Sequence, residues 1–433
     1  MKALRVPKTL MRYCLSTGFL RIISGPGTQK ELRVLTAIFK LSRKFLLIVI
    51  TASAFASSTV GAEPLRFGDC ATKTTAPEAI EQALDEVLQQ ILKSKLGSAP
   101  GAVVSVRAAD WRYVKAAGVA DPDKGTTLNC DMPFQIGSNT KMMTATVLLQ
   151  LHEEGRLAVD DLLSAHLPGI AARLPNGNRI TLRHLAQHTS GVFSYTDDTA
   201  DGTPGLMEAG TSDPQALRRA ITPEQMIRFV IRHGKPSFAP GAEGAWSYSN
   251  TGYTLLGMVI EKIENKPLAK SFEQRIFAPL GMHKTYLWNG VPKPVFGLPR
   301  SYLAAPFDYE TTDWNMSQGW AAGAVVSTAD DMHDFIKALV AGKLFRSPDT
   351  LAMMQKAVRT TNPTLLRYGL GLAMKGKNLW GHGGQTLGFE SDIAAFDDRD
   401  LSMVAWSTSS KNILGFGAVA ITQALKNAGV LKD

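Results

Sequence analysis

Three short segments of the 433-residue chain carry residue types that can move an acyl group. The first is Phe134-Gln-Ile-Gly137-Ser138-Asn-Thr-Lys141-Met-Met, where Ser138 is the only serine that stands three residues ahead of a lysine. The run after Ser138 has helical character through about His152, and on a helix positions i and i+3 lie one turn apart on one face. The two side chains therefore meet. A neutral hydroxyl is a weak nucleophile, but a lysine shielded from water and set against the positive end of a helix loses its proton and can act as its base. The second segment, Trp246-Ser-Tyr248-Ser-Asn250-Thr-Gly-Tyr253, holds the only Tyr-x-Asn. Tyr248 can carry a proton between nucleophile and leaving group if a nearby lysine holds its pKa down, and Asn250 can donate to a substrate carbonyl. Alone, the same segment also reads as a turn capping a helix from Thr251, with Tyr248 as packing. The third, Trp380-Gly-His382-Gly383-Gly384-Gln385-Thr-Leu-Gly388, holds the only His-x-Gly, in a strand context. Glycines weaken a strand unless something approaches its backbone closely, as a substrate does at an edge strand. The alternative is a glycine-rich turn with an incidental histidine.

Periodicity defines the elements that must position these residues. A strand-like run from Met132 to Ile136 turns sharply at Gly137 into the Ser138 helix. That helix is apolar and Met-rich below the serine (Met142, Met143, Ala145, Val147, Leu148, Leu149), which suits a central buried helix. Upstream, apolar residues at helical spacing from Pro77 to Lys95 predict an amphipathic helix ended by Gly97. Ala102 to Ala108 and Tyr113 to Val119 predict a hairpin turning at Asp110. Helices are expected over Leu182 to His188, Pro223 to His233, Thr251 to Lys262 and Leu268 to Phe277. Strands follow over Tyr368 to Met374, Phe389 to Phe396 and Leu401 to Ser407, then a closing helix from about Leu414 to Ala428. Strands at both ends with helices between imply an α/β (α+β) chain: one antiparallel sheet built from both termini, flanked by helices, beside a mainly helical second lobe. The expected division is 63–154 with 301–433 for the sheet domain and 155–300 for the helical lobe, with the site between them. No internal repeat, low-complexity tract or nucleotide-binding glycine pattern is present.

The net charge of +9 invites a nucleic-acid reading until its location is considered. Ten of the 47 basic residues and one of the 38 acidic residues lie in residues 1–62, leaving 37 of each in the remainder. The excess belongs to a leader and not to a nucleic-acid surface. Arg43-Lys44, the apolar run Phe45 to Ala56 and the Val60-Gly-Ala62 end form a secretory signal with cleavage expected after Ala62. The run is shorter than the roughly 20 residues that span a bilayer, so no stable membrane span is expected after cleavage. The expected location is periplasmic or secreted. Cys14 falls in the leader, which leaves Cys70 and Cys130 either to pair, as two cysteines of an exported chain can, or to stay as separate buried thiols. Neither has a catalytic neighbourhood.

Ser-x-x-Lys, Tyr-x-Asn and His-x-Gly occur once each, in this order, 110 and 134 residues apart. In this the chain resembles the penicillin-recognising serine hydrolases, the group that holds class C β-lactamases, secreted D-alanyl-D-alanine carboxypeptidases and related esterases. His184-Leu-Ala-Gln-His188-Thr-Ser-Gly191, Tyr253-Thr-Leu-Leu-Gly257, Pro279-Leu-Gly-Met282 and Gly323 to Met332 also resemble that group's segments, so the likeness covers nearly the whole mature chain. It implies Ser138 as acylated nucleophile, Lys141 as its partner, Tyr248 as proton carrier, and Asn250 as a guide for the substrate amide or the lysine. The backbone N–H groups of Ser138 and Gln385 would form the oxyanion hole.

His382 stands where β-lactamases of the group carry lysine and some carboxypeptidases carry histidine. With an ordinary pKa of about 6.5 it would hold a substrate carboxylate only weakly. Gly383 also lacks the hydroxyl often found there. His382 favours a carboxypeptidase-like enzyme or an esterase over a β-lactamase, and Gly383 pushes further towards esters or small acyl substrates. The expected activity is that of a D-alanyl-D-alanine carboxypeptidase on cell-wall peptides, with a carboxylesterase on the same scaffold, a class C-like β-lactamase and a catalytically silent penicillin-binding or interaction protein as the alternatives. The implied partner is a small-molecule or peptide acyl substrate, peptidoglycan among the candidates, with no cofactor. His184 and His188, four apart on the expected helix, have the spacing of zinc ligands, but Leu185 stands where the catalytic zinc pattern needs glutamate, so no metal is expected there, and the resemblance implies a structural segment. Substrate choice falls to loops such as Phe193 to Ser212 and Val291 to Trp314, whose aromatics (Phe193, Tyr195, Tyr302, Phe307, Tyr309, Trp314) suit either an acyl pocket or surface packing.

Overall fold

Alternation along Ala102–Val106 sends successive side chains to opposite faces of a sheet, and both faces are covered. The computed structural model describes residues 67–93, 99–207, 213–288, 297–303, 309–410 and 417–432. The expected leader, its cleavage point and Phe307 lie outside them. The strands in chain order are β1 (Gly101–Ala108), β2 (Arg112–Asp121), β3 (Thr126–Thr127), β4 (Phe134–Gln135), β5 (Tyr286–Leu287), β6 (Tyr302–Leu303), β7 (Tyr309–Glu310), β8 (Val325–Ser327), β9 (Val358–Arg359), β10 (Arg367–Tyr368), β11 (Ala373–Gly376), β12 (Leu379–Gln385), β13 (Glu390–Phe396) and β14 (Leu401–Ser407). Nine of them form an antiparallel sheet in the order β3-β2-β1-β14-β13-β12-β11-β10-β9. Strands from both ends of the described chain thus meet at the β1–β14 pair, where Val104 lies opposite Ala405.

On one face, Ala102, Val104 and Val106 pack with helix α1 (Glu78–Leu92) through Ile80, Leu84 and Leu88. The closing helix, Gly417–Asn427, joins the same layer through Ile421 and Leu425. On the other face, Val103, Val404 and Trp406 belong to the larger core that holds the central helix α2 (Thr140–Glu153). Residues Thr140 to Leu149 of α2 are all buried, so this helix is wrapped by protein on every side. His333, on the helix Ala329–Val340, ties that layer to the sheet, with Nδ1 2.8 Å from Ser402 Oγ and Nε2 2.9 Å from Ser105 Oγ.

The helices expected at Pro223–His233 and around Thr251–Lys262 are present, the second as Asn250–Glu264. The Leu268 to Phe277 segment is helical to Phe272 and then widens into a π-type turn over Glu273–Phe277. A small sheet, β4-β8-β5, joins segments from both sides of the expected lobe boundaries. One expected strand is corrected. Tyr368 to Met374 is split into β10 and β11, because Gly371 takes φ 72° and its N–H donates to Ala186 O at 3.2 Å. A Cβ on Gly371 would lie 2.8 Å from Lys141 O, so the chain dips here onto the central helix. Among the described residues no helix is long and apolar enough to cross a membrane.

Cys70 and Cys130 are joined by a disulfide across 60 residues of sequence, which ties the segment before α1 to the approach to β4. A loop of that length is expected to contribute about 4 kcal/mol through restriction of the unfolded chain. Dithiothreitol should therefore lower the melting temperature of the wild-type chain by several degrees and leave a Cys70→Ser/Cys130→Ser variant unchanged. Equal shifts in both would show that the disulfide does not carry this stability.

Candidate active site

Gly137 makes the turn that presents Ser138. β4 pairs with β8, Phe134 stacks on Trp406 with ring centroids 4.9 Å apart, and Ile136 N–H donates to Val325 O at 3.0 Å. The chain then reverses through Gly137–Asn139, with Gly137 at φ 53°, a conformation glycine adopts without steric cost. Asn139 fixes the turn from below, its Nδ2 donating to Ile136 O and to Ser391 Oγ, both at 2.9 Å. Ser138 emerges at the head of α2, and Lys141, one turn on, folds back to it.

Lys141 Nζ lies 3.0 Å from Ser138 Oγ, 2.7 Å from Asn250 Oδ1 and 2.8 Å from Ala322 O. Its side chain is fully buried, and desolvation drives its pKa well below the usual lysine range. The contact geometry fits the neutral amine: two N–H groups serve the two carbonyl oxygens and the lone pair is left for the Ser138 hydroxyl. Asn250 Oδ1 is taken up by Lys141, its Nδ2 donates one hydrogen to Thr196 Oγ1 at 3.0 Å and its backbone N–H donates to Ser194 Oγ at 3.1 Å, so it orients the lysine and, as it lines the cavity, keeps a second Nδ2–H for a substrate carbonyl.

Tyr248 closes the group. Lys141 Nζ is 4.8 Å from its ring centroid, and its hydroxyl interacts with Ser138. The expected depression of the Tyr248 pKa is corrected: burial pushes it above the usual phenol range, and the interaction with Ser138 offsets only part of this. A neutral lysine supplies no charge that would hold a phenolate. Tyr248 thus keeps its proton and is suited to donating it.

β12 forms the opposite wall. Gln385 reaches the cavity, and its backbone runs so close to the Ser138 turn that a Cβ on Gly137 would lie 2.7 Å from Gln385 N. A Cβ on Gly384 would lie 2.0 Å from Ile136 O, which explains the glycine there. Gly383 is half-buried, paired with Asp392 in the sheet, and neither glycine lines the cavity. His382 does not face the cavity either. It is buried, its Nε2 sits 2.9 Å from Tyr368 Oη, and burial pushes its pKa down to about 3. The histidine is neutral, as its ordinary pKa already implied, but the cause is burial, and its partner is a tyrosine where a substrate carboxylate was expected.

The cavity in front of Ser138 has a volume of about 370 Å³. Met207, Leu303, Trp314 and Leu387 supply apolar wall, and Tyr195, Thr196, Gln385, Thr386 and Ser410 supply uncharged polar groups. None of its described lining residues carries a charge. Of the loop aromatics, Tyr195 and Trp314 line it, while Phe193 and Tyr302 do not.

Sequence reasoning missed Ala322 O, Thr196 and Ser194, which hold Lys141 and Asn250, and Tyr368, which holds His382. A backbone acceptor leaves no mark beyond the small residues around it, and the others sit in loops without periodicity. The helical premise for His184 and His188 is also corrected. The helix ends at Ala186; His184 caps its start through Thr181, while His188 lies beyond it at φ 62° and turns toward Tyr248.

Comparison with known proteins agrees with this geometry. Residues 84–426 match the Beta-lactamase family. The chain is 32% identical over 201 residues to Esterase EstB of Burkholderia gladioli, covering 46% of this chain and 49% of that protein. It is 26% identical over 320 residues to the D-alanyl-D-alanine-carboxypeptidase/endopeptidase AmpH of Escherichia coli (strain K12), covering 73% and 74%. The matched stretches thus span from about half to three quarters of these relatives. Among solved structures, a D-stereospecific amidohydrolase from Streptomyces sp. superposes with a TM-score of 0.65 at 30% identity, over 79% of this chain and 98% of that one. With its motifs gathered around one buried lysine, its fold shared with that amidohydrolase and residues 84–426 matched by the family, the chain belongs to the Beta-lactamase family of serine hydrolases.

Proposed function

We propose that this protein is an exported hydrolase that passes an acyl group to Ser138 and then to water, and that its substrates are neutral esters or amides. Lys141, as the free amine, takes the Ser138 proton while Oγ attacks the carbonyl carbon. The oxyanion settles against the N–H groups of Ser138 and Gln385, donors that are typically worth about 3 kcal/mol each in the transition state. Tyr248 gives its proton to the leaving group and is reprotonated through Lys141. Water then repeats the sequence on the acyl-enzyme. The observation that carries this reading is the fully buried Lys141 Nζ placed 3.0 Å from Ser138 Oγ.

The uncharged cavity supports the choice of substrate, since a carboxylate entering it would be desolvated without a described cation to pair with. Likeness to an esterase and to a D-stereospecific amidohydrolase supports it further. The second reading, a D-alanyl-D-alanine carboxypeptidase acting on cell-wall peptides, is favoured by the longer match to AmpH. Export is supported by the leader and by the Cys70–Cys130 disulfide, a bond of oxidising compartments. Mass spectrometry of the mature protein should find Glu63 as its first residue.

The deciding experiment follows four substrates with the chain from Glu63 onward: p-nitrophenyl butyrate, a D-amino acid amide, diacetyl-Lys-D-Ala-D-Ala and nitrocefin, each with Ser138→Ala as control. Ester and amide turnover that vanishes in Ser138→Ala is expected. Faster release of D-alanine would establish the carboxypeptidase reading, and rapid nitrocefin turnover would make the protein a β-lactamase. No turnover, together with no fluorophosphonate label on Ser138, would make it a silent binding protein.

Two variants test the machinery itself. Gly137→Ala forces a Cβ against Gln385 N, and the displaced oxyanion donor should slow Ser138 labelling by about 100-fold. A labelling rate near wild type would remove Gln385 N from the oxyanion hole. Lys141→Met tests the neutral amine through stability. A depressed pKa in the folded state means that only the unfolded chain binds the proton below about pH 10.4, so the wild type loses about 1.4 kcal/mol per pH unit as pH falls from there towards the folded pKa. Denaturant titrations at pH 7, 8 and 9 should show the difference moving in favour of Lys141→Met as pH falls. A difference independent of pH would mean that Lys141 is charged in the folded protein.

A further inference from the structure

His188 stands in the left-handed region at φ 62° although it is not a glycine, and it is buried. That conformation strains an L-residue, and glycine would relieve it. What glycine would not provide is the side chain. In its present conformation, His188 turns two acceptors toward one neighbouring stretch of chain: its carbonyl oxygen accepts from Ser247 N–H at 3.0 Å, and its Nδ1 accepts from Ser249 N–H at 3.1 Å. These are the two backbone donors on either side of Tyr248. The imidazole also lies against the Tyr248 ring, with centroids 4.3 Å apart, and against Tyr368 at 4.8 Å.

We infer that His188 is a positioning residue, whose Nδ1 and carbonyl oxygen clamp the Ser247–Ser249 backbone so that Tyr248 is held on Ser138 and Asn250 on Lys141. The clamp requires Nδ1 to carry a lone pair, which fixes the Nε2–H tautomer. Nε2 has no hydrogen-bond partner among the described residues and faces the aromatic cluster. Burial holds the ring neutral. The backbone strain at His188 is therefore stored to aim a proton donor, since a displacement of about 1 Å in such a group can cost a hundredfold in rate.

This inference rests on Ser138 being the nucleophile, and its test separates the two. Three chains are compared by rate of fluorophosphonate labelling and by melting temperature: wild type, His188→Gly and His188→Asn. Glycine keeps the backbone conformation and loses Nδ1; asparagine tolerates the conformation and offers Oδ1 as an acceptor. His188→Gly should label at least tenfold more slowly, and His188→Asn should recover most of the loss, with kcat for any substrate moving more than KM. Labelling of His188→Gly within twofold of wild type, or no recovery in His188→Asn at an equal melting temperature, would overturn the assignment. Nitrogen-15 NMR of the histidines, with His188→Asn to assign the resonance, supplies a readout independent of activity. A neutral Nε2–H tautomer at His188 is expected, and an Nδ1–H tautomer would refute the clamp. A wild type that takes up no label would sink the nucleophile reading, while the tautomer would still decide whether His188 holds the segment.

Discussion

An amine sealed from water beside a hydroxyl, with carbonyl oxygens and no carboxylate for company, is the constraint on which the rest of the site depends. Desolvation of an isolated ammonium is so unfavourable that the group gives up its proton instead. That makes Lys141 a base at neutral pH, but only if nothing nearby restores the charge. Asn250 and Ala322 O meet this condition, since each accepts a hydrogen bond without contributing a full negative charge. The aromatic faces of Tyr248 and Tyr253 close the remaining sides with little polarity. Protonated Tyr248 and neutral His188 and His382 then follow from the same exclusion of water that neutralises the lysine.

Such a site needs a fold that brings distant backbone together at contact distance. Gly137 touches β12 at Gln385, Gly384 touches Ile136 O, and Gly371 lies over Lys141 O, each without room for a Cβ. Three glycines from three segments therefore let α2, β12 and the β10–β11 connection converge on four residues. The central position of α2 explains why the motif helix carries almost no polar face: it has no solvent side. Stability and geometry are joined here, because any shift of β12 relative to β4 moves Gln385 N with it.

Much of this was legible in the sequence. The hairpin, the Ser138 helix, β13 and β14 were legible as apolar runs of the right length, because each is buried by the layers around it. That Ser138 and Lys141 meet followed from helical spacing, whereas the places of Tyr248, Asn250 and the Gln385 backbone beside them were what the family resemblance implied. What escaped was set by tertiary approach. The break at Gly371 exists because the chain turns there onto α2 and Ala186 O, segments that lie nearly 200 positions or more away in sequence. Likewise His188 reads as part of a helix until the left-handed turn is seen, and His382 reads as a substrate ligand until Tyr368 is found in front of it. At His188 and His382 the segment was recognised and the direction of one side chain was not.

The orientation of His382 bears on substrate choice through the lysine. An anion bound close to Nζ favours the ammonium and so disables the base, unless a second cation offsets the field. A lysine in the place of His382 would supply that offset. Here the place is filled by a neutral imidazole turned into a buried tyrosine cluster, and the described cavity wall is uncharged. A substrate carboxylate would thus meet two penalties at once, its own desolvation and the loss of the free amine that activates Ser138. Neutral esters and amides incur neither. The same reasoning separates the two routes to a different specificity. A cation added at the cavity rim would favour anionic substrates while leaving Lys141 free, whereas a carboxylate introduced beside Asn250 would protonate Lys141 and silence the enzyme whatever the substrate.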